Sequence, residues 1–162
     1  AALAEFKPTD RVLDLGGGTG RVARVFVGSV ASVTVADPSE KMLAQCKRKQ
    51  GLACVLAEAE HLPFADASFE KVIIVDAFHH FANHERVIAE VRRVLVPGGR
   101  AILEEFNIGT FAGKFGQRME WLFGMQSHFF TPPDLAALWQ QHGFTTTTTD
   151  REKKVYYLVC RR

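Results

Sequence analysis

Residues 12–20 read VLDLGGGTG, and the fold turns on this stretch. Val12, Leu13 and Leu15 form a short apolar run that suits a buried strand, and Gly16, Gly17 and Gly18 end it. Glycines at a strand-to-helix turn let a ligand approach backbone amides. A phosphate-binding P-loop would need a Gly-Lys-Ser/Thr ending that is missing here. A dinucleotide fits the spacing, because Gly18, Gly20 and Ala23 satisfy G-x-G-x-x-A and Asp37 follows where a ribose hydroxyl would be met. Asp14, two residues ahead of the glycines, separates the candidates by charge. It repels a pyrophosphate and attracts a ligand carrying an ammonium and a sulfonium. This preference requires its side chain to face the ligand rather than cap the loop.

Outward from the loop, strand and helix signals alternate. Strands are expected at 32–36 (ending on Asp37), 53–56, 71–75 and 100–105, with helices at 21–27, 38–49 and 85–95 between them. Pro97, Gly98 and Gly99 break the last of these helices. Such alternation predicts an α/β fold: a Rossmann-like, doubly wound, mostly parallel sheet with right-handed crossovers. Ligands then bind beyond the carboxyl ends of the strands, which places Asp14, Asp37, Glu58, Asp76 and Glu105 along one rim. After an aromatic-rich segment and a helix at 132–142, two strands at 145–149 and 155–160 stand too close for a crossover. They predict an antiparallel hairpin.

The 162 residues fit one domain, 1–162, and 47% hydrophobic residues fill one core. A formal charge of +2 gives no basic footprint for nucleic acid. Cys46, Cys54 and Cys160 are odd in number and show no paired spacing, so neither a disulfide framework nor a zinc knuckle is expected. With no apolar run of bilayer length and no signal-peptide pattern, a cytoplasmic protein without a membrane span is the expectation.

Four stretches carry a family resemblance: VLDLGGGTGRVA, VTVADPSEKML, LAEAEHLPFADASFEKVIIVDAFHHF and RRVLVPGGRAILEEF. In this order they resemble the class I S-adenosylmethionine-dependent methyltransferases, most of all the branch with the quinone-biosynthesis C-methyltransferases. The resemblance implies seven strands with one reversed, S-adenosylmethionine as cofactor and S-adenosylhomocysteine as product. It places Gly16, Gly17 and Gly18 along the methionyl part with Asp14 near the amino group, and Asp37, followed by Pro38, on the ribose hydroxyls. Met42 packs on the adenine, Glu58 and Ala59 meet its amino edge, and Asp76 and Ala77 border the reactive methyl. Most relatives carry Asp where Glu58 stands.

Methyl transfer is an in-line displacement, so holding donor and acceptor aligned supplies roughly 7–11 kcal/mol, against roughly 3–5 kcal/mol from a general base. A hydroxyl or acidic-carbon acceptor still profits from a base. His80 and His79, just past the fourth predicted strand, are the leading candidates, with Glu105 and His128 behind them. His79, His80 and His84 lack the HExxH glutamate and a third ligand, so no metal is expected. Phe111, Phe115, Trp121, Phe123, Phe129 and Phe130 mark 106–131 as the acceptor-pocket and lid segment for a small apolar or aromatic acceptor. The stretch VDAFHH replaces the Asn/Asp-Pro-Pro-Tyr of amino-group DNA methyltransferases, and no Pro-Cys nucleophile occurs, so a nucleic-acid acceptor is not expected. A non-catalytic cofactor-binding module and an NAD-linked oxidoreductase are the alternatives.

Overall fold

The computed structural model describes residues 5–106, 128–151 and 155–162. Its strands are β1 (Arg11–Leu15), β2 (Ser32–Asp37), β3 (Ala53–Leu56), β4 (Phe69–Val75), β5 (Leu95–Phe106), β6 (Thr145–Arg151) and β7 (Val155–Arg161). The helices are α1 (Glu40–Cys46), α2 (His84–Val94) and α3 (Pro132–Gln141). The strands form one seven-stranded sheet in the order β3-β2-β1-β4-β5-β7-β6. Neighbours from β3 through β5 pair in parallel, and β7 runs antiparallel to both β5 and β6. This is the Rossmann-like, mostly parallel sheet that the alternation predicts, with the seven strands and the one reversal that the family resemblance implies.

Central position explains composition. In β1 every residue after Arg11 is buried, as expected of a strand covered on both faces. Successive side chains then go to opposite sides. Leu13 and Leu15 join the larger apolar cluster with Ile74, Phe78, Trp139 and Leu158. On the other face Val33 and Val35 of β2 meet Ala23, Leu43 and Cys46 in a smaller cluster. The threonine run of β6 fills an edge strand, where β-branched residues are favoured.

Three local expectations change. The helix expected at 21–27 is a single 3-10 turn, Ala23–Phe26, in which only Ala23 is buried and no side chain caps the start. Val22, Val25 and Val27 resist helix, and so little buried face cannot hold a short one. Strand β5 starts at Leu95, ahead of the Pro97–Gly99 break: Leu95 pairs with Phe69, the register slips, and Arg100 pairs with Lys71. Finally, Cys46 and Cys54 are joined by a disulfide, their Cα atoms 6.3 Å apart. The packing of α1 beside β3 makes the pair, which spacing alone did not signal, and it corrects the expectation that no cysteines are paired.

Side chains pin the loop after β3 to α2. Arg93 donates to the carbonyls of Leu62 and Phe64 and to Asp66, while Glu90 accepts the Leu62 amide at 2.8 Å and pairs with Arg93. Arg93 thereby holds the Glu90 carboxyl down to about 2. Among the described residues no helix is long and apolar enough to cross a membrane. Of the segment expected to form the acceptor pocket, Phe106 and residues 128–131 are described; Phe111, Phe115, Trp121 and Phe123 lie outside the described residues.

Candidate functional site

A cavity of about 510 Å³ opens at the carboxyl ends of β1, β2 and β4. Pockets for small ligands fall in the range of about 300–1,000 Å³, so it suits a nucleoside-sized molecule. Its wall includes Gly16, Asp37, Pro38, Glu58, Asp76, Ala77 and His80, each expected from the sequence. It also includes Glu60, His61, Phe81, Ala82 and Asn83, which were not. Glu60 had no sequence signal of its own: it sits in a turn closed by the His61 amide on the Glu58 carbonyl at 3.1 Å, which no strand periodicity foretells. Its carboxylate accepts the amides of Ala82 and Asn83, both at 3.1 Å, and so joins two walls of the cavity. Asn83 could have been read as the cap of α2, whose Arg86 amide its side chain accepts.

Asp37 ends β2 at the cavity with both oxygens oriented. One accepts the Gly18 amide at 2.8 Å and the other the Ser39 amide at 2.9 Å. Each oxygen keeps a further lone pair, and the two sit side by side, as adjacent hydroxyl donors require. Met42, one turn into α1, is 42% exposed and stands outside the cavity lining. Ala59 is buried, and Gly17 and Gly18 border the loop without lining the cavity.

Asp14 lies beneath the loop. It is 1% exposed and accepts the Ala23 amide at 3.2 Å, so its side chain caps the turn instead of facing a ligand, and its charge no longer separates the candidates. Burial foremost, with the Asp37 charge adding to it, pushes its carboxyl up to about 7. Two of the glycines answer to packing as well. A Cβ on Gly17 would stand 2.5 Å from the Asp14 carboxyl, and one on Gly16, where φ is +71°, would stand 2.8 Å from the Ala77 Cβ. The dinucleotide reading loses support from a different quarter. Its pyrophosphate needs a helix N-terminus, and a 3-10 turn of four residues has little dipole.

Beyond β4 the backbone turns sharply. Asp76 has φ +52°, a left-handed conformation rare for a non-glycine residue. A 3-10 turn, Phe78–His80, follows and directs two histidines differently. His79 is 2% exposed, with Nδ1 2.6 Å from Oε2 of Glu105 and Nε2 3.9 Å from Asp76. Its ring stacks on Phe129 at 4.5 Å. His80 is exposed and lines the cavity. His84, burdened by burial and the neighbouring His128, has its pKa lowered. The ligand atoms of Asp76, His79 and Glu105 lie within 4.8 Å of one another.

Residues 13–103 match the family model described as methyltransferase domain. The chain belongs to that family. It is a class I S-adenosylmethionine-dependent methyltransferase domain, and the sequences it is similar to include quinone-biosynthesis methyltransferases. The ubiquinone/menaquinone biosynthesis C-methyltransferase UbiE of Ralstonia pickettii is 35% identical over 114 residues, 65% of this chain and 47% of that protein. The demethylmenaquinone methyltransferase of Thermus thermophilus is 40% identical over 111 residues, 64% of this chain and 50% of that protein. The chain thus spans about half the length of the curated relatives it matches. An S-adenosylmethionine-dependent methyltransferase from Mesorhizobium loti superposes with a TM-score of 0.84, at 20% identity, over 99% of this chain and 94% of that one. At that identity the likeness speaks for the fold.

Proposed function

We propose that the protein transfers a methyl group from S-adenosylmethionine to a small apolar or aromatic acceptor, with an electron-rich hydroquinone ring as the first candidate. The observation that carries the cofactor reading is Asp37, whose two oxygens are held in place by the Gly18 and Ser39 amides at the mouth of the cavity. In this reading Asp37 binds the ribose hydroxyls, Pro38 and Glu58 flank the adenine, and Gly16 and Ala77 border the methionyl chain. When bound, S-adenosylmethionine supplies a methyl carbon already activated by a sulfonium. The protein's share is to align the acceptor, and Phe81 and Ala82 give the cavity an apolar side for it. The acceptor class follows the relatives, named for quinone methylation. Asp14 acts from behind the wall. A cation seated over the loop would favour its ionised form.

Calorimetric titration with S-adenosylhomocysteine and, in parallel, NADH tests the cofactor. Binding of the first and none of the second is expected, and the reverse result reinstates the oxidoreductase. Turnover of labelled S-adenosylmethionine with reduced 1,4-naphthalenediol tests the acceptor. Tight cofactor binding without methyl transfer to any hydroquinone in a panel would favour the non-catalytic module.

A further inference from the structure

Two walls of the cavity come from different parts of the chain, and one side chain joins them. The first follows β3. The Ala57 amide donates to the Asp37 carbonyl at 3.2 Å, so this wall starts from the residue that ends β2, and Glu58 and Glu60 line the cavity from there. The second follows β4 and carries Phe81, Ala82 and Asn83 up to the start of α2. Phe81 also packs beside the glycine loop, since a Cβ on Gly16 would stand 3.5 Å from its ring. The apolar side of the cavity is therefore set against the loop on one flank and against Glu60 on the other.

Glu60 holds the second wall by its backbone. A single carboxylate oxygen, Oε1, accepts the Ala82 and Asn83 amides, both at 3.1 Å. Both amides lie just ahead of α2, where a negative charge suits the helix N-terminus. Asn83 accepts the Arg86 amide at 3.0 Å, and Arg86 returns its Nε to the Glu60 carbonyl at 3.1 Å. Glu60, Asn83 and Arg86 thus close a ring of hydrogen bonds, which fixes a position where one bond alone would leave a hinge. Ala82, Asn83 and Arg86 are exposed, so water replaces any of these bonds that is lost and little stability goes with it. What goes is the fixed place of the wall.

We propose that Glu60 is a positioning residue for methyl transfer, setting the gap between the cofactor side of the cavity, at Asp37 and Glu58, and the apolar side, at Phe81 and Ala82, on which the acceptor lies. The inference rests on the methyl-transfer reading above. Glu60 takes no proton in this role and acts through the Ala82 and Asn83 backbone. In-line transfer needs donor and acceptor about 3–3.5 Å apart, and a displacement of about 1 Å can cost about 100-fold in rate. The rival role for a carboxylate in the cavity wall is chemical, as a base or as a counter-charge to the sulfonium. Either of those needs the negative charge, whereas positioning needs only an acceptor oxygen in the same place.

Glu60→Gln and Glu60→Ala separate the two roles. Gln keeps an oxygen for both amides and loses the charge, while Ala loses both. Arg86→Met breaks the ring from outside the cavity and leaves the carboxylate in place. Amide hydrogen exchange at Ala82 and Asn83, followed by NMR in 15N-labelled protein, needs no acceptor; it is expected to quicken in Glu60→Ala and to stay close to the wild type in Glu60→Gln. With S-adenosylmethionine and 1,4-naphthalenediol, kcat is expected to fall about 100-fold in Glu60→Ala and about 10-fold in Arg86→Met, at unchanged affinity for S-adenosylhomocysteine. Glu60→Gln is expected to recover most of the rate. A Glu60→Gln protein as slow as Glu60→Ala assigns the effect to charge and overturns the proposal. So does S-adenosylhomocysteine affinity that falls in step with kcat, exchange that Glu60→Ala leaves unchanged, or full speed in Arg86→Met. Failure of the wild type to bind S-adenosylhomocysteine, or to methylate any hydroquinone, instead overturns the methyl-transfer reading, whatever the amides do.

Discussion

Asp14 offers a quantitative test of the loop. Its carboxyl is raised from the ordinary 3.8 to about 7, mainly because burial beneath Gly17 strips it of water. The native state therefore holds this proton more tightly than the unfolded chain does. Stability from this group is complete below about pH 4 and is lost as pH rises toward about 7, where the loss levels off. At 1.36 kcal/mol per pH unit the full loss is about 4 kcal/mol, of which about 2 kcal/mol has accrued by pH 5. Asp14→Asn removes the titration while keeping an oxygen for the Ala23 amide. Its buried NH2 costs about 1–3 kcal/mol for want of a partner, but that cost does not depend on pH. Every other titrating group is common to both proteins and cancels in the difference. Urea denaturation at pH 5 and pH 8 should thus show the Asp14→Asn variant gaining about 2–3 kcal/mol on the wild type between the two. A difference that stays constant with pH would refute the reasoning, since it would mean that Asp14 is ionised at little cost.

Three further outcomes are expected. Asp37→Asn cannot accept from Gly18, Ser39 and two hydroxyls at once, and should weaken S-adenosylhomocysteine binding by about 10- to 100-fold in calorimetry, a loss of about 1.5–3 kcal/mol. Gly17→Ala forces a Cβ onto the Asp14 carboxyl and should cost about 1–3 kcal/mol; a double-mutant cycle with Asp14→Ala should recover at least about 1 kcal/mol of it, and strict additivity would break the link. Reducing Cys46–Cys54, whose sequence separation is 8, should cost about 2–3 kcal/mol in denaturation experiments by loop-closure entropy. Mass spectrometry after alkylation with and without reductant checks that the bond is there.

Much of the architecture was legible along the chain because it rests on local signals. Short apolar runs separated by helical periodicity and Gly/Pro breaks imply parallel strands, and the close-set final strands imply a hairpin; neither inference needs to know which residues meet. Alternation also brought Asp37, Glu58, Asp76 and Glu105 to one rim, since parallel strands all end on the same side. Direction and depth of a side chain were another matter. Asp14 could face a ligand or cap a turn on sequence grounds alone, and only the burial of its carboxyl under Gly17 decided it. The turn at Ala23–Phe26 replaced a helix because too little of it packs against the sheet. Cys46 and Cys54 meet only because α1 lies beside β3, and Glu105 reaches His79 only because β5 lies beside β4. Periodicity is written into neighbouring residues, whereas contacts between distant ones, and the water they exclude, exist only after the sheet has assembled.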